Sequence, residues 1–180
     1  AVGHGIGVNA IASFYLGAQD QKKANDTVSL GLFLSMIHGI LLTVGCIGVL
    51  RPFLHLFTTN PEVIQNGITY GTLAFLFNFP NSIAIAYEKI YQAEGKMTVS
   101  MIAMLCGCIC NIILDPMMIF GIGFFPKMGI AGAALATGIG QVLTLVIYLI
   151  IYFTKESQLR IHLSKEMFQK TICKRIYSVG

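Results

Sequence analysis

Four stretches of this chain run for the thickness of a lipid bilayer with almost no charge in them. Val28 to Leu50 carries none and ends at Arg51-Pro52, Val63 to Tyr87 carries none and ends at Glu88-Lys89, and Met128 to Thr154 carries none and ends at Lys155. The fourth, Thr98 to Phe125, carries a single charge, Asp115. A hydrocarbon core of about 30 Å needs roughly 20 apolar residues in helical form. In lipid, every backbone N–H and C=O must find its partner inside the protein, which leaves the helix as the natural spanning form. The opening run, Ala1 to Gly17, is shorter and reads as the trailing part of a fifth helix. The expected fold class is therefore all-α, a polytopic transmembrane helix bundle with four full spans plus part of a fifth. Composition points the same way. Of 180 residues 55% are hydrophobic and 11% charged, against roughly 25% charged in soluble domains. That excludes a disordered chain, and no nucleic-acid partner is expected despite the net charge of +4.

The cations set the expected orientation. With Gly17 at the cytoplasmic end, Lys22, Lys23, Lys89, Lys96, Lys155, Arg160, Lys165, Lys170, Lys174 and Arg175 lie inside, and only Arg51 and Lys127 lie outside. Ten against two over short loops is the positive-inside asymmetry, and the opposite topology would invert it. The expected location is the plasma (inner) membrane, multi-pass, with the lipid bilayer itself as a partner.

Residues 1–154 are expected to form one transmembrane unit, from the end of one helix through four more, with 155–180 a cytoplasmic or interfacial basic linker. In that last stretch Leu159, Leu163, Met167, Phe168 and Ile172 alternate with bases, as in a helix lying on the membrane surface or a solvated linker. Between spans, Asn60-Pro61-Glu62 has the chemistry of a helix start: a capping amide, a proline at the first position and an acid in the first turn. The chain opens at Ala1 inside an apolar stretch and closes at Gly180 as another apolar pattern begins, so it is expected to be an internal piece of a longer membrane protein.

Asp115 is the candidate functional residue. An ionisable group inside a span costs roughly 2.5–3.5 kcal/mol on insertion scales, so it should face the bundle interior and mark an ion or substrate path. Asn111 precedes it by four residues and shares its helix face. Pro116 follows it and cannot donate to the carbonyl of Ile112, which frees an oxygen and is expected to kink the helix there. Amide, carboxylate and freed carbonyl are hard oxygen ligands suited to sodium, or to carrying a proton. On the next helix Gly132, Ala136 and Gly140 repeat at a spacing that lets a neighbouring backbone come close, while Thr137 and Gln141 share a face one turn apart.

Other polar residues carry less. His38 is expected to hydrogen-bond a neighbour rather than to titrate in a mechanism. Asn78, Pro80, Asn81 and Ser82 interrupt their span as a kink beside a cavity would, or as capping of freed backbone would. Cys106, Cys108 and Cys110 lie two residues apart, so on a helix their thiols point away from one another and do not form a metal site. No set of side chains suits enzyme catalysis, and no cofactor is expected.

The run from Asn111 through Asp115-Pro116 to Gly121, followed by Met128-Gly-Ala-rich sequence to Thr137, resembles the multidrug and toxic compound extrusion (MATE) transporters. Upstream, Tyr15 to Asp20 with Lys22, Lys23, Ala24 and Asn25 is similar to that family's first cytoplasmic loop, and the turn around Ala93-Glu94-Gly95 to its second. Phe14, Gln92 and Glu94 depart from the family's usual loop residues, outside the cation site. The resemblance implies twelve helices in two halves around a central cavity, this chain supplying most of the first half, with the second half of the same polypeptide as its partner. It also implies proton- or sodium-coupled antiport of small organic cations by alternating access. The cation site would fall on Asn111, Asp115 and Thr137, with an acidic partner on an upstream helix. Two other readings stay open: a related lipid-linked-oligosaccharide flippase, which expects basic residues inside the spans, and an inactive truncated membrane scaffold.

Overall fold

The computed structural model describes residues 2–123, 125–154 and 157–162, with 172, 176 and 178. Five helices follow one another: α1 (Val2–Gly17), α2 (Gln21–Phe57), α3 (Pro61–Ala93), α4 (Met97–Phe120) and α5 (Ile130–Thr154). The described residues form an all-helical bundle. Among them α2, α4 and α5 are long and apolar enough to cross a membrane, and α1 is a shorter apolar helix. The remaining expected span, α3, has 33 residues, about 50 Å of helix, which is ample length. Its polar residues, Asn66, Thr69, Asn78, Asn81 and Ser82 among them, dilute its hydropathy. It is the helix whose sides are most used by protein, packing against α2, α5, α1 and α4.

Several span ends differ from expectation, α2 beginning at Gln21 and α3 continuing to Ala93. The helix of Val28 to Leu50 runs on through Arg51-Pro52 to Phe57, because a proline inside a helix removes only one backbone bond and the neighbouring turns carry the structure across it. The helix of Thr98 to Phe125 stops earlier, at Phe120. Gly121 takes a left-handed conformation (φ 74°), and its N–H and that of Ile122 both bond the carbonyl of Met117, at 3.0 and 2.9 Å. Met128 and Gly129 then donate to the carbonyls of Met118 and Ile119, so the helix end is satisfied by the returning loop. One consequence is positional. Asp115 lies within a turn and a half of the end of α4, not at its middle.

The caps read from the sequence between α2 and α3 are present: Asn60 accepts from Glu62 N–H at 3.0 Å, with Pro61 beginning the helix. At the start of α2, Asp20 accepts from the backbone of Lys23 at 3.1 Å and pairs with its ammonium at 2.6 Å. That side-chain hydrogen bond, then the backbone one, hold the Asp20 carboxyl below its ordinary range.

The packing is inside-out by the standard of a soluble protein. Leu41, Val44, Leu56, Ile112, Phe120 and Phe153 are exposed, while α5 buries Gly132, Ala134, Ala136, Gly138 and Gly140. Lipid tails solvate leucine as well as a core does, so helices associate through small residues that let backbones meet. A Cβ on Gly132 would stand 2.5 Å from the carbonyl oxygen of Met118, one on Gly107 would stand 2.7 Å from that of Gly140, and one on Gly140 would stand 2.8 Å from that of Gly107. The α4–α5 pair is thus joined backbone to backbone.

The continuous buried core sits at the basic end, where Val8, Ala12 and Tyr15 of α1, Val28 and Leu30 of α2, and Ile90 and Tyr91 of α3 meet Tyr148 of α5. Tyr91 and Tyr148 stack at 5.6 Å; Tyr91 donates to the carbonyl of Tyr148 at 3.0 Å, and Tyr148 to that of Ser100 at 3.3 Å. Across this end lies the chain after α5. Its expected surface helix is absent over 157–162, which are not helical; Leu163, Met167 and Phe168 lie outside the described residues, while Ile172 is helical and buried in the core. Four consecutive N–H groups here are each taken by a side chain: Leu159 by Glu94 (2.8 Å), Arg160 by Asn25 (2.9 Å), Ile161 by Tyr152 (2.9 Å) and His162 by Ser29 (3.0 Å). Leu159, expected at the membrane surface, is fully buried in the core instead. A strap anchored through its backbone leaves no N–H free for helix formation.

Glu94 is the strap's main anchor. Its side chain is fully buried, accepts from Ser157 Oγ and Leu159 N–H, and pairs with Lys96 at 2.7 Å. Glu94→Ala should leave the Leu159 N–H and the Ser157 hydroxyl without partners, at about 1–3 kcal/mol for each buried group so orphaned. Limited proteolysis of the purified membrane protein checks this, with faster cleavage within 157–162 as the expected outcome.

Candidate functional site

Between α3, α4 and α5 lies a cleft of about 260 Å³, lined by Asn81 and Glu88 of α3, Asn111 of α4, and Thr137, Gln141 and Tyr148 of α5 among others. The local sequence explains why it exists. Gly107 and Gly140 bring α4 and α5 together along one side of it, and Ala84 thins the α3 wall. From Thr137 to Tyr148 it follows eleven residues of α5, about 16 Å of rise, so it is an elongated slot rather than a round cavity. Among the described residues that line it, none is basic and one, Glu88, is acidic.

Two of the three residues that the sequence singles out are in contact. Asn111 Nδ2 donates to Thr137 Oγ1 at 3.3 Å across the α4–α5 seam, and Thr137 in turn donates to its own helix at Ala133 O, at 3.0 Å. With its proton committed there, Thr137 turns lone-pair density toward Asn111. Asp115 follows one helical turn beyond Asn111, outside the lining of the cleft itself. Its Oδ1 is buried and has no hydrogen-bond partner among the described residues. A buried carboxylate oxygen without a donor is expensive. Pro116 sits inside α4, which stays helical through it to Phe120. The amide, the hydroxyl and the carboxylate thus stand on neighbouring turns of one seam.

The other polar residues fall where local geometry uses them. His38 Nδ1 donates to Leu34 O at 3.0 Å, one turn back on its own helix. Ser82 donates to Asn78 O at 2.8 Å, beside Pro80. Cys106, Cys108 and Cys110 are free thiols, with Cys108 on the cleft wall.

The sequence singles out neither Glu88 nor Asp26 for the site, and gives Gln141 only as a neighbour of Thr137. Glu88 was placed at the end of a span, but α3 continues to Ala93 and Glu88 faces the cleft. It sits in a network in which Lys89 pairs with it at 3.2 Å and Gln92 Nε2 donates to it at 2.8 Å. Lys89 also donates to Gln92 Oε1 at 3.0 Å, and Asn9 of α1 donates to the same oxygen at 3.5 Å. Gln141 shares the face of Thr137, as its spacing says, and its Oε1 is buried without a hydrogen-bond partner among the described residues. Asp26, fully buried at the basic end of α2, lies 3.0 Å from His162 Nε2 of the strap. The signal for Asp26 was an acid one turn before Leu30 on the helix side that includes Thr27 and Ser29, which the hydropathy pattern alone does not expose.

Comparison with known proteins bears on what such a seam is for. The MatE family model matches residues 1–117. The chain belongs to the MatE family. Its members are transporters rather than enzymes, and the chain is that of a membrane protein. Among similar proteins, the multidrug export protein MepA of Staphylococcus saprophyticus is 29% identical over 178 residues, and that of Staphylococcus aureus strain NCTC 8325 is 28% identical over 179. Each alignment covers 98% of this chain and 38% of the relative, so the chain spans less than half the length of the relatives it matches. Among solved structures, an inward-facing multidrug resistance MATE family transporter of the MOP superfamily superposes with TM-score 0.89 at 26% identity, over 99% of this chain and 40% of that one. An outward-facing structure of such a transporter gives 0.86 at 26% identity, over 97% and 38%. A MOP superfamily transporter from Pyrococcus furiosus, described as having a binding pocket of reversed polarity, gives 0.87 at 27% identity, over 99% and 39%.

Proposed function

We propose that this chain is part of a cation-coupled antiporter that exports small organic cations by alternating access, with a proton or sodium ion as the coupling species. Asp115 takes up the coupling ion; Asn111 and Thr137 supply the neighbouring oxygen ligands; Pro116, which cannot donate to Ile112 O, gives α4 the point at which it bends when the ion binds. The orientation places the basic end, with Lys22, Lys23, Lys89 and Lys96, in the cytoplasm. The second half of the polypeptide completes the cavity.

One observation carries this reading: the orphaned Oδ1 of Asp115 next to the bonded Asn111–Thr137 pair, in a bundle whose cleft is lined by an acid and by no base among the described residues. A neutral seam would have no use for a buried carboxylate oxygen left without a donor. The same polarity argues against the flippase alternative, because a pyrophosphate-linked substrate calls for cationic side chains. The name of the staphylococcal relatives, multidrug export protein, supports drug-like compounds as the cargo.

The test is transport by the full-length protein in proteoliposomes loaded with ethidium. An imposed proton or sodium gradient should drive ethidium against its own gradient. If neither gradient moves it, the antiport reading is wrong.

A further inference from the structure

The cleft does not end at the Asn111–Thr137 pair. It runs about 16 Å along α5 toward the basic end and finishes at Glu88 and Tyr148. Two polar side chains stand along it beyond that pair. Gln141 Oε1 is buried on the wall with no donor, and an acceptor left so inside a bundle wants a water or a cation. Glu88, only 16% exposed, is the one acidic residue among the described residues that line the slot, its carboxylate held there by Lys89 and Gln92.

We propose, resting on the antiport reading, that this slot is the route by which the coupling cation leaves the Asp115 site for the cytoplasm, with Glu88 as its receiving carboxylate. The ligand class is a small monovalent cation, a hydrated proton or sodium. The groups around Glu88 explain how it both takes and gives up such an ion. Lys89 pairs with it from its own helix at 3.2 Å, Gln92 donates to it at 2.8 Å, Tyr148 of α5 and Cys108 of α4 stand on the same slot, and α1 offers Asn9 through Gln92. Lys89 is the resident counter-ion, on a flexible stem and already shared with Gln92 Oε1 at 3.0 Å. An arriving cation displaces the ammonium from Glu88 onto Gln92; when the cation departs, the ammonium returns. For a proton the balance is explicit. It leaves the Asp115 carboxyl, passes along water beside Gln141, and makes Glu88 a neutral acid. Glu88 then loses it to cytoplasmic water and regains Lys89. For sodium no bond is made or broken, and carboxylate, amide and water oxygens exchange in the coordination shell.

The experiment uses the full-length transporter in proteoliposomes with ethidium as cargo, driven in separate arms by a proton gradient and a sodium gradient, which identifies the cation. Glu88→Gln and Gln141→Leu should each slow coupled export roughly tenfold, the scale on which residues away from both ligands alter coupling. Equilibrium ethidium binding should stay at the wild-type value. Gln141→Leu removes an orphaned acceptor without touching the Glu88 network, so a purely structural role predicts normal export and equal or higher thermal stability. Normal export by both variants, or by Gln141→Leu alone, overturns the proposal; if Glu88→Gln does not fold, Gln141→Leu decides it. Asp115→Asn separates the two readings. Should it export with normal coupling, the antiport reading falls and the route with it; should it lose coupling while both cleft variants export normally, only the route falls.

Discussion

Asp115→Asn in the full-length transporter should abolish cation-driven ethidium export, by on the order of a hundredfold, the scale on which loss of a proton-transferring side chain registers. Insertion and yield should be unchanged or improved. The reasoning starts from cost. An ionised carboxylate near the end of a membrane helix is expensive to keep, and the Oδ1 of this one has no donor to offset it. Asparagine has nearly the same shape, keeps an oxygen at one position and places an N–H₂ at the other, so the change removes charge and proton affinity without opening a void. If Asp115 were a packing residue, the variant would transport normally. If it binds the coupling ion, the protein still takes up ethidium but a gradient no longer drives the dye. Measuring export with and without a gradient, beside equilibrium dye binding, separates these outcomes, and gradient-driven export at the normal rate would show that coupling lies elsewhere.

The spans and the site were unequally legible in the sequence. The spans were, because hydropathy over some 20 residues is a bulk property that tolerates local error. So was the face shared by Asn111 and Asp115, because helical periodicity is fixed by geometry. Helix ends were less so. Gly121 stops α4 at Phe120 through a left-handed turn that hydropathy does not register, and Pro52 fails to stop α2 because the turns around it outlast one missing bond. Glu88 was hidden for the same reason: a charge at the edge of an apolar run looks like the edge of a membrane. Only the packing of α3 against α5 shows that it faces a slot. The strap over 157–162 was the least legible, since its conformation is set by side chains of Asn25, Ser29, Glu94 and Tyr152, distant in sequence.

The glycines that join α4 to α5 backbone to backbone are a second place where one substitution has a large effect. Gly107→Ala should destabilise the protein and separate Asn111 from Thr137. The added Cβ would stand 2.0 Å from Thr144 Oγ1 and 2.7 Å from the carbonyl oxygen of Gly140. Thr144 is able to rotate away, but it would give up its bonds to Gly140 O at 2.9 Å and Ala103 O at 3.4 Å. The Gly140 carbonyl belongs to backbone and moves only if α5 moves. Overpacking of this kind costs about 1–3 kcal/mol, offset by at most about 1 kcal/mol from the better helix propensity of alanine. Gly107→Val should cost more still. Gly45 is the matched control, because it lies in α2 with nothing within 4 Å of its missing Cβ. Gly45→Ala should therefore leave thermal stability equal or slightly raised. Thermal unfolding of the purified full-length variants ranks them, with Gly45→Ala highest, Gly107→Ala lower and Gly107→Val lowest. Since the seam also holds Asn111 3.3 Å from Thr137, Gly107→Ala should lose coupled export even at temperatures where it stays folded. A Gly107→Ala protein as stable and as well coupled as Gly45→Ala would mean that α4 and α5 do not meet backbone to backbone.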